Sequence, residues 1–148
     1  MNLTKENTIS DTRFGTITYE PDDILTFPQG LVGFPEEKQF LLVSTKQASS
    51  FRWLQSLKHP ELAFLVANPA EFVSGYSPVS EAKIGDVLLT TVNIPPGRPK
   101  EMTLNLAGPI CIDLVSRTGK QIVLDNEAYT TRYRVFATAS SESGDVAA

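Results

Sequence analysis

Between Phe27 and Pro69, turn-forming residues alternate with short apolar runs, and this pattern limits the folds open to the chain. The stretch contains FPQGLVGFPEEKQFLLV and FRWLQSLKHPELAFLVANP. Residues 51–57 alternate between two faces, which indicates a strand, and residues 62–67 form the continuous apolar run of a central strand. No long segment of the chain carries an amphipathic helical stripe, so the pattern favours an all-β fold.

Turn-forming residues also separate short segments in the rest of the sequence, since ten Pro and nine Gly are spread along the chain. The sequence SRTGK at 116–120 predicts a tight hairpin turn with Gly119 at a positive φ angle. Since closure of a sheet removes its exposed edges, we predict a small closed or partly open antiparallel β-barrel of about nine or ten short strands. The strands are predicted at residues 13–19, 23–27, 39–44, 51–57, 62–67, 71–76, 87–94, 102–106, 110–115 and 121–124. Residues 125–135 are compatible with either a strand or a loop.

A length of 148 residues suits one domain with a substantial core. The two ends of the chain are polar, so we predict a flexible segment at 1–12 and a disordered tail at 137–148. The single β-barrel domain then spans residues 13–136.

The net charge of −4 and the absence of a long apolar run limit where the protein can be located and what it can bind. The N-terminal sequence has no apolar segment of a secretory signal, and the longest apolar stretches are too short to span a membrane. We therefore predict a cytoplasmic protein that contacts no membrane. A mildly acidic chain also argues against direct binding of nucleic acid, which normally needs a basic face.

Few residues in the chain could carry out catalysis. Its only histidine, His59, lies in a predicted solvated turn, and its only cysteine, Cys111, lies in the apolar run PICIDLV as a structural thiol. This inventory excludes a His/Cys zinc cluster, and the chain lacks a GxSxG nucleophile motif. The carboxylate pairs Asp22–Asp23 and Glu36–Glu37 fall in turns, where solvated acidic residues are expected. We predict no enzyme activity, no catalytic residues, no metal and no cofactor.

Two features leave alternatives open. Trp53 is the only tryptophan, and it is either a half-buried strand residue or an aromatic anchor at an interface. A basic and aromatic cluster near the end of the chain could form the binding face of an OB-like domain for single-stranded nucleic acid, or a solvated sheet edge. That cluster consists of Arg117, Lys120, Tyr129, Arg132, Tyr133 and Arg134.

The ordered motifs of the chain resemble those of the FliW flagellar assembly factors. The similarity covers residues 13–134 and includes DDILTFPQGLVGFPEEKQFLLV, FRWLQSLKHPELAFLVANP, LTTVNIPPGRPKEMTLNLAGPICID and GKQIVLDNEAYTTRY. An N-L-x-x-P element is present as Asn105, Leu106 and Pro109. One departure is the short SPVSEAKIGD segment at 77–86, where the family usually has a longer acidic stretch.

The resemblance implies a β-barrel-like fold without enzyme activity and two mutually exclusive partners. One is flagellin, held before export, and the other is the RNA-binding translational regulator CsrA. Release of flagellin would free the factor to antagonise CsrA and so relieve repression of flagellin mRNA. We expect a monomer when the protein is free.

The physics of the chain is compatible with both partners. An acidic protein complements a basic RNA-binding partner, and an apolar groove would suit the amphipathic terminal helices of flagellin. The position of the motifs at strand ends and turns predicts a partner-binding set of Leu54, Gln55, Ser56, Asn68, Pro69, Asn105 and Pro109.

Overall fold

A computed structural model describes residues 7–45, 50–76 and 87–136 of the chain. Across these ranges the regular structure is eleven strands and three short 3-10 turns, at Pro21–Asp23, Pro69–Glu71 and Pro99–Glu101, with no α-helix. The strands are β1 (Asn7–Thr12), β2 (Gly15–Tyr19), β3 (Leu25–Thr26), β4 (Gln39–Val43), β5 (Phe51–Ser56), β6 (Ala63–Ala67), β7 (Val87–Asn93), β8 (Thr103–Leu104), β9 (Ile110–Asp113), β10 (Thr118–Gln121) and β11 (Tyr133–Arg134).

Seven of these strands close into a barrel in the order β3-β4-β5-β6-β7-β9-β10. Every pairing round the barrel is antiparallel except the closing one, in which β10 lies parallel to β3 at Thr118↔Thr26. The all-β barrel predicted from the sequence is confirmed, with this one parallel contact as an addition. Closure satisfies the backbone donors and acceptors that an open sheet would expose at its edges.

The remaining strands extend the barrel. β1 and β2 form a separate antiparallel hairpin. β7 is long enough to pair with two strands: its first half pairs with β9 and its end pairs with β8, which in turn pairs with β11.

The barrel interior is apolar, and its packing explains one glycine. A Cβ atom on Gly119 would lie 2.5 Å from the ring of Phe27, which itself packs edge-on against Phe40 with ring centroids 5.3 Å apart. The prediction of a positive φ angle at Gly119 is therefore wrong. Gly119 lies inside β10, and the turn residue with positive φ is Arg117, at 57°. The core cluster contains Leu25, Phe27, Leu31, Phe40, Leu54, Val66, Leu89, Ile110 and Ile112.

Other boundaries also differ from the sequence predictions. Residues 7–12, expected to be flexible, form β1 because they pair with β2. A strand was predicted at 71–76, but the chain there follows a 3-10 turn that Asn68 begins by accepting a hydrogen bond from the Ala70 amide at 2.9 Å. The return strand of the last hairpin lies at Thr118–Gln121 rather than at 121–124. The predictions for residues 1–6, 77–86 and 137–148 lie outside the described residues.

The alternating strand directions place the connections at two ends of the barrel. β3, β5, β7 and β10 all run toward one end, which we call the upper rim and which comprises residues 27–38, 57–62 and 94–109. The lower rim comprises residues 20–24, 68–76 and 114–117. Along the part of the chain that the structure describes, no helix has the length and apolar character needed to cross a bilayer.

Candidate partner-binding surface

The structure does not bring the sequence-predicted partner-binding residues into one site. Leu54, Gln55 and Ser56 end β5 at the upper rim, and the residues Asn105 and Pro109 lie on another connection of the same rim. Asn68 and Pro69 follow β6 at the opposite, lower rim, five or so residues of strand away. A common role for the whole set stays a prediction.

Burial separates the members of this set further. Asn68 is exposed and Asn105 is half-buried, so these two amides are open to a partner. The others, Leu54, Gln55, Ser56, Pro69 and Pro109, are buried. In this conformation they can support the exposed residues of the rim by packing beneath them, but they cannot contact a partner directly.

Gln55 fixes the turn that joins β5 to β6. Its side-chain nitrogen donates to the carbonyl oxygens of Ser56 and Pro60, each at 3.0 Å, and to that of Leu62 at 3.2 Å. The amide nitrogen has two N–H groups, which are shared among these three carbonyl groups of one turn. The turn 57–62 is consequently a rigid part of the upper rim.

A buried carboxylate, Glu37, completes this corner. Its Oε1 accepts from the Ser56 hydroxyl at 2.5 Å, and its Oε2 pairs with Nδ1 of His59. The Ser56 hydroxyl oxygen also accepts from the backbone N–H groups of Lys58 at 3.1 Å and His59 at 2.9 Å. The expectation that Glu37 is a solvated turn residue is wrong, because Glu37 is only 5% exposed and ties the two connections together. His59 does lie in a turn, and its side chain is 43% exposed, as expected.

This Ser, Glu and His cluster does not have the order that nucleophilic catalysis requires. In a hydrolytic triad the imidazole lies between the hydroxyl and the carboxylate, so that it can take the hydroxyl proton. Here Glu37 lies in the middle, and the lone pairs of Ser56 face two backbone donors. The cluster therefore acts as a structural clamp on the turn.

Gln121 performs a similar task on the other side of the upper rim. Its side-chain oxygen accepts from the Val32 amide at 2.8 Å, and its nitrogen donates to the Gly108 carbonyl at 2.9 Å. Gly108 leaves room for this contact, since a Cβ there would lie 2.8 Å from the Gln121 nitrogen. The amide thus fastens the loop containing Val32 to the connection that holds Asn105.

An apolar patch lies on the rim that these clamps hold in place. Val32 is 62% exposed and Phe34 is 39% exposed on a tight turn closed by the Leu31↔Phe34 bridge. The Phe34 ring packs edge-on against Phe64 at 5.0 Å between centroids. Ile94, on the neighbouring connection, is 41% exposed. We call Val32, Phe34, Phe64 and Ile94 the upper-rim patch.

The basic cluster considered for nucleic-acid binding is divided among several elements. Arg117 lies at the lower rim, where its Nη2 donates to the Asp23 carbonyl at 3.0 Å. Lys120 is on β10 and Arg134 is on β11. Tyr129 packs edge-on against Tyr76 at 5.0 Å, so its ring is engaged within the protein rather than free to stack on a base.

Cys111, on β9, and Tyr76 are the two described residues whose pKa departs clearly from its usual value. Cys111 is buried, as predicted, and burial raises the pKa of its thiol. Burial also raises the pKa of the Tyr76 phenol, whose hydroxyl donates to the Leu106 carbonyl at 2.5 Å. The described residues contain no group of three or more His, Cys, Asp or Glu side chains that could hold a metal ion.

Comparison with known proteins identifies the family. A sequence model described as FliW protein matches residues 8–135. The chain belongs to the FliW family. A flagellar assembly factor FliW from Magnetococcus marinus is 44% identical over 125 residues, covering 78% of this chain and 77% of that protein. One from Moorella thermoacetica is 34% identical over 148 residues, covering 93% and 94%.

A solved FliW structure has the same fold. The crystal structure of the flagellar assembly factor FliW superposes with a TM-score of 0.78 at 30% identity, covering 89% of this chain and 99% of that one. The resemblance drawn from the ordered motifs is therefore confirmed. As a FliW protein, the chain is a flagellar assembly factor.

Three residues that organise the surface are absent from the partner-binding set predicted from the sequence: Glu37, His59 and Gln121. A local signal was available for the position of His59, because a serine hydroxyl readily accepts from amides two and three residues later, as Ser56 does. Glu37 is 19 residues from Ser56 and 22 from His59 in the sequence, so no such signal indicates it. The contact of Gln121 with Val32 spans 89 residues of sequence, and no local pattern indicates it.

Proposed function

We propose that this FliW protein is a non-enzymatic binding factor that holds flagellin before export and, when free, binds and antagonises the translational regulator CsrA. Family membership over residues 8–135 is the observation that carries the proposal. Relief of CsrA repression would restore translation of flagellin mRNA, so the amount of unexported flagellin would control its own synthesis. The proposed place of action is the cytoplasm.

The upper-rim patch supports the flagellin part of the proposal. An amphipathic helix needs an apolar surface that is already formed, because a rigid site loses less conformational entropy on binding. Val32 and Phe34 are exposed, and their turn is fastened by Gln121 and by the Lys38 ammonium, which donates to the Pro28 carbonyl at 2.8 Å. These properties suit a docking surface for an apolar helix face.

The charge of the chain supports the CsrA part. A net charge of −4 attracts a basic RNA-binding protein and repels free RNA. The basic residues lie on several different elements, and the Arg117 guanidinium donates to the Asp23 carbonyl. Binding to CsrA itself, rather than to its RNA, is therefore the interaction that we propose.

Calorimetric titration of the purified protein with flagellin and with CsrA tests both interactions. We expect binding to each at micromolar concentration or below, and flagellin preloaded on the protein should prevent CsrA from binding.

Val32→Asp should weaken flagellin binding by roughly tenfold or more. Val115→Asp, at a lower-rim residue that is 91% exposed, is the matched control and should leave it unchanged. A folded protein that binds neither partner would refute the proposal, and simultaneous binding of both would refute the switch. Gel filtration of the free protein tests the proposed monomer.

A further inference from the structure

A stacked arginine lies beside an open groove on the outer wall of the barrel, and the lining of the groove is partly apolar and partly polar. The Arg13 guanidinium carbon is 4.0 Å from the centroid of the Trp53 ring, and Phe14 packs edge-on against the same ring at 5.6 Å. Both Arg13 and Phe14 come from the β1–β2 hairpin, whereas Trp53 is on β5. The hairpin thus places the Arg13 guanidinium group against the barrel wall.

The groove opens where β6 and β7 separate. These strands are paired at Val66↔Thr91 and Ala67↔Thr90. Toward the upper rim a groove of about 480 Å³ extends from Arg13 and Trp53 over Leu65 to Ile94. Its lining also includes Phe64, so it is continuous with the upper-rim patch.

Stacking prepares the arginine for one kind of ligand. A guanidinium group lying on an indole face keeps its N–H donors in the plane of the group, pointing away from the ring, which is the geometry that receives a carboxylate through two hydrogen bonds. Arg13 is the only charged residue lining the groove, and among the residues that the structure describes it makes no ion pair. The lining combines apolar side chains, such as Trp53 and Ile94, with the polar residues Thr91 and Asn93. A positive group in such a groove suits a ligand that carries a carboxylate beside an apolar side chain.

We propose that this groove binds a protein segment that places a carboxylate next to an apolar side chain, with Arg13 as the residue that recognises the carboxylate. This assignment rests on the proposed function, and it gives flagellin and CsrA different binding surfaces on the protein. The groove has the opposite charge to the protein as a whole, so it suits an acidic and apolar segment of flagellin and is unfavourable for a basic RNA-binding protein. Phosphate also fits an arginine fork, but the apolar side chains of Trp53, Leu65 and Ile94 in the lining favour a peptide.

The single tryptophan allows the groove to be observed directly. In the 15N-labelled full chain, Trp53 gives the only indole N–H resonance, whatever the partner contains. We expect unlabelled flagellin to shift this resonance. We also expect Arg13→Glu to weaken flagellin binding at least tenfold, and Arg13→Lys to weaken it less, because lysine keeps the charge but loses the planar fork.

Arg52→Glu is the matched control, since Arg52 is an exposed arginine on the same strand as Trp53 and the substitution changes the net charge equally. It should change flagellin affinity less than twofold. If flagellin binds the wild type while the indole resonance and the Arg13→Glu affinity stay unchanged, the groove assignment is wrong and the proposed function survives.

A pair of model peptides tests the groove without any variant or natural partner. Acetyl-Phe-Glu-Phe-Glu-amide should shift the indole resonance at millimolar concentration, and its Gln counterpart, acetyl-Phe-Gln-Phe-Gln-amide, should shift it at least fivefold less. If flagellin and CsrA both fail to bind but the acidic peptide shifts the resonance, the groove stands and the proposed function fails. Equal shifts by the two peptides, or a single-stranded oligonucleotide whose binding is lost in Arg13→Glu, would overturn the peptide assignment.

Discussion

At the scale of single residues, the upper rim depends on a few buried polar side chains. Ser56 donates to one oxygen of Glu37 and accepts from two backbone amides, so removal of its hydroxyl leaves Oε1 of a buried carboxylate and two amides without that partner. Because an unsatisfied buried polar group costs 1–3 kcal/mol, we expect Ser56→Ala to lower the free energy of unfolding by about 2 kcal/mol. Urea unfolding measures this change. Ser74→Ala, at an exposed serine, is the control, and equal effects of the two substitutions would contradict the clamp.

Tyr76 gives the second prediction at this scale. Burial, with smaller contributions from Tyr129 and Cys111, raises its pKa. Above about pH 10 the unfolded chain therefore loses the phenol proton before the folded chain does, and the free energy of unfolding falls as pH rises. Below that pH the contribution is fully present. Tyr76→Phe removes the bond to Leu106 and should cost about 1 kcal/mol at pH 8.

The Cys111 thiol also has a raised pKa, so its ionisation weakens the folded state at alkaline pH as well. Because wild type and Tyr76→Phe both contain Cys111, the difference between them reports on Tyr76. We expect the difference in the free energy of unfolding between wild type and Tyr76→Phe to shrink from pH 9 to pH 11. Urea unfolding at several pH values measures it. A constant difference would show that the Tyr76 phenol is not protected from ionisation.

At the scale of strands, β10 is defined by close packing rather than by its own sequence. Gly119→Ala would place a methyl group 2.5 Å from the Phe27 ring, so we expect a loss of about 2 kcal/mol in the free energy of unfolding. Combining it with Phe27→Leu, which shortens the opposing side chain, should recover about 1 kcal/mol relative to the sum of the single effects. A double-mutant cycle by urea unfolding measures the coupling, and strict additivity would contradict a direct clash.

The same strand shows where local sequence is sufficient and where it is not. Apolar runs specified β4, β5 and β6 nearly to the residue, because their side chains are buried on both sides or alternate with period two. The glycine in SRTGK indicated a turn, yet its reason is the approach of Phe27, which is distant in sequence. β1 has a polar sequence and is a strand only because β2 pairs with it.

At the scale of the whole molecule, the sequence was sufficient to predict an all-β barrel but not the order in which its strands pair. Regular short strands without a helical stripe made closure the natural solution for the sheet. The parallel β10–β3 contact that completes it, and the division of β7 between β9 and β8, join residues far apart in the chain. Those pairings also decide which predicted site residues share a rim, and so Asn68 and Pro69 lie away from Asn105 and Pro109.

The net charge of the molecule gives the last prediction, which concerns the rate of association with CsrA. An acidic protein of net charge −4 attracts a basic partner over a distance that salt shortens, since the Debye length falls from about 30 Å at 0.01 M to about 10 Å at 0.1 M ionic strength. We expect the association rate constant for CsrA to fall roughly tenfold between 0.01 and 0.3 M salt, with a smaller change in the dissociation rate constant. Stopped-flow mixing measures both rate constants. Flagellin is the internal control: if it binds through the apolar upper-rim patch, its association rate should change less, and equal salt dependence for the two partners would contradict their use of surfaces with different charge.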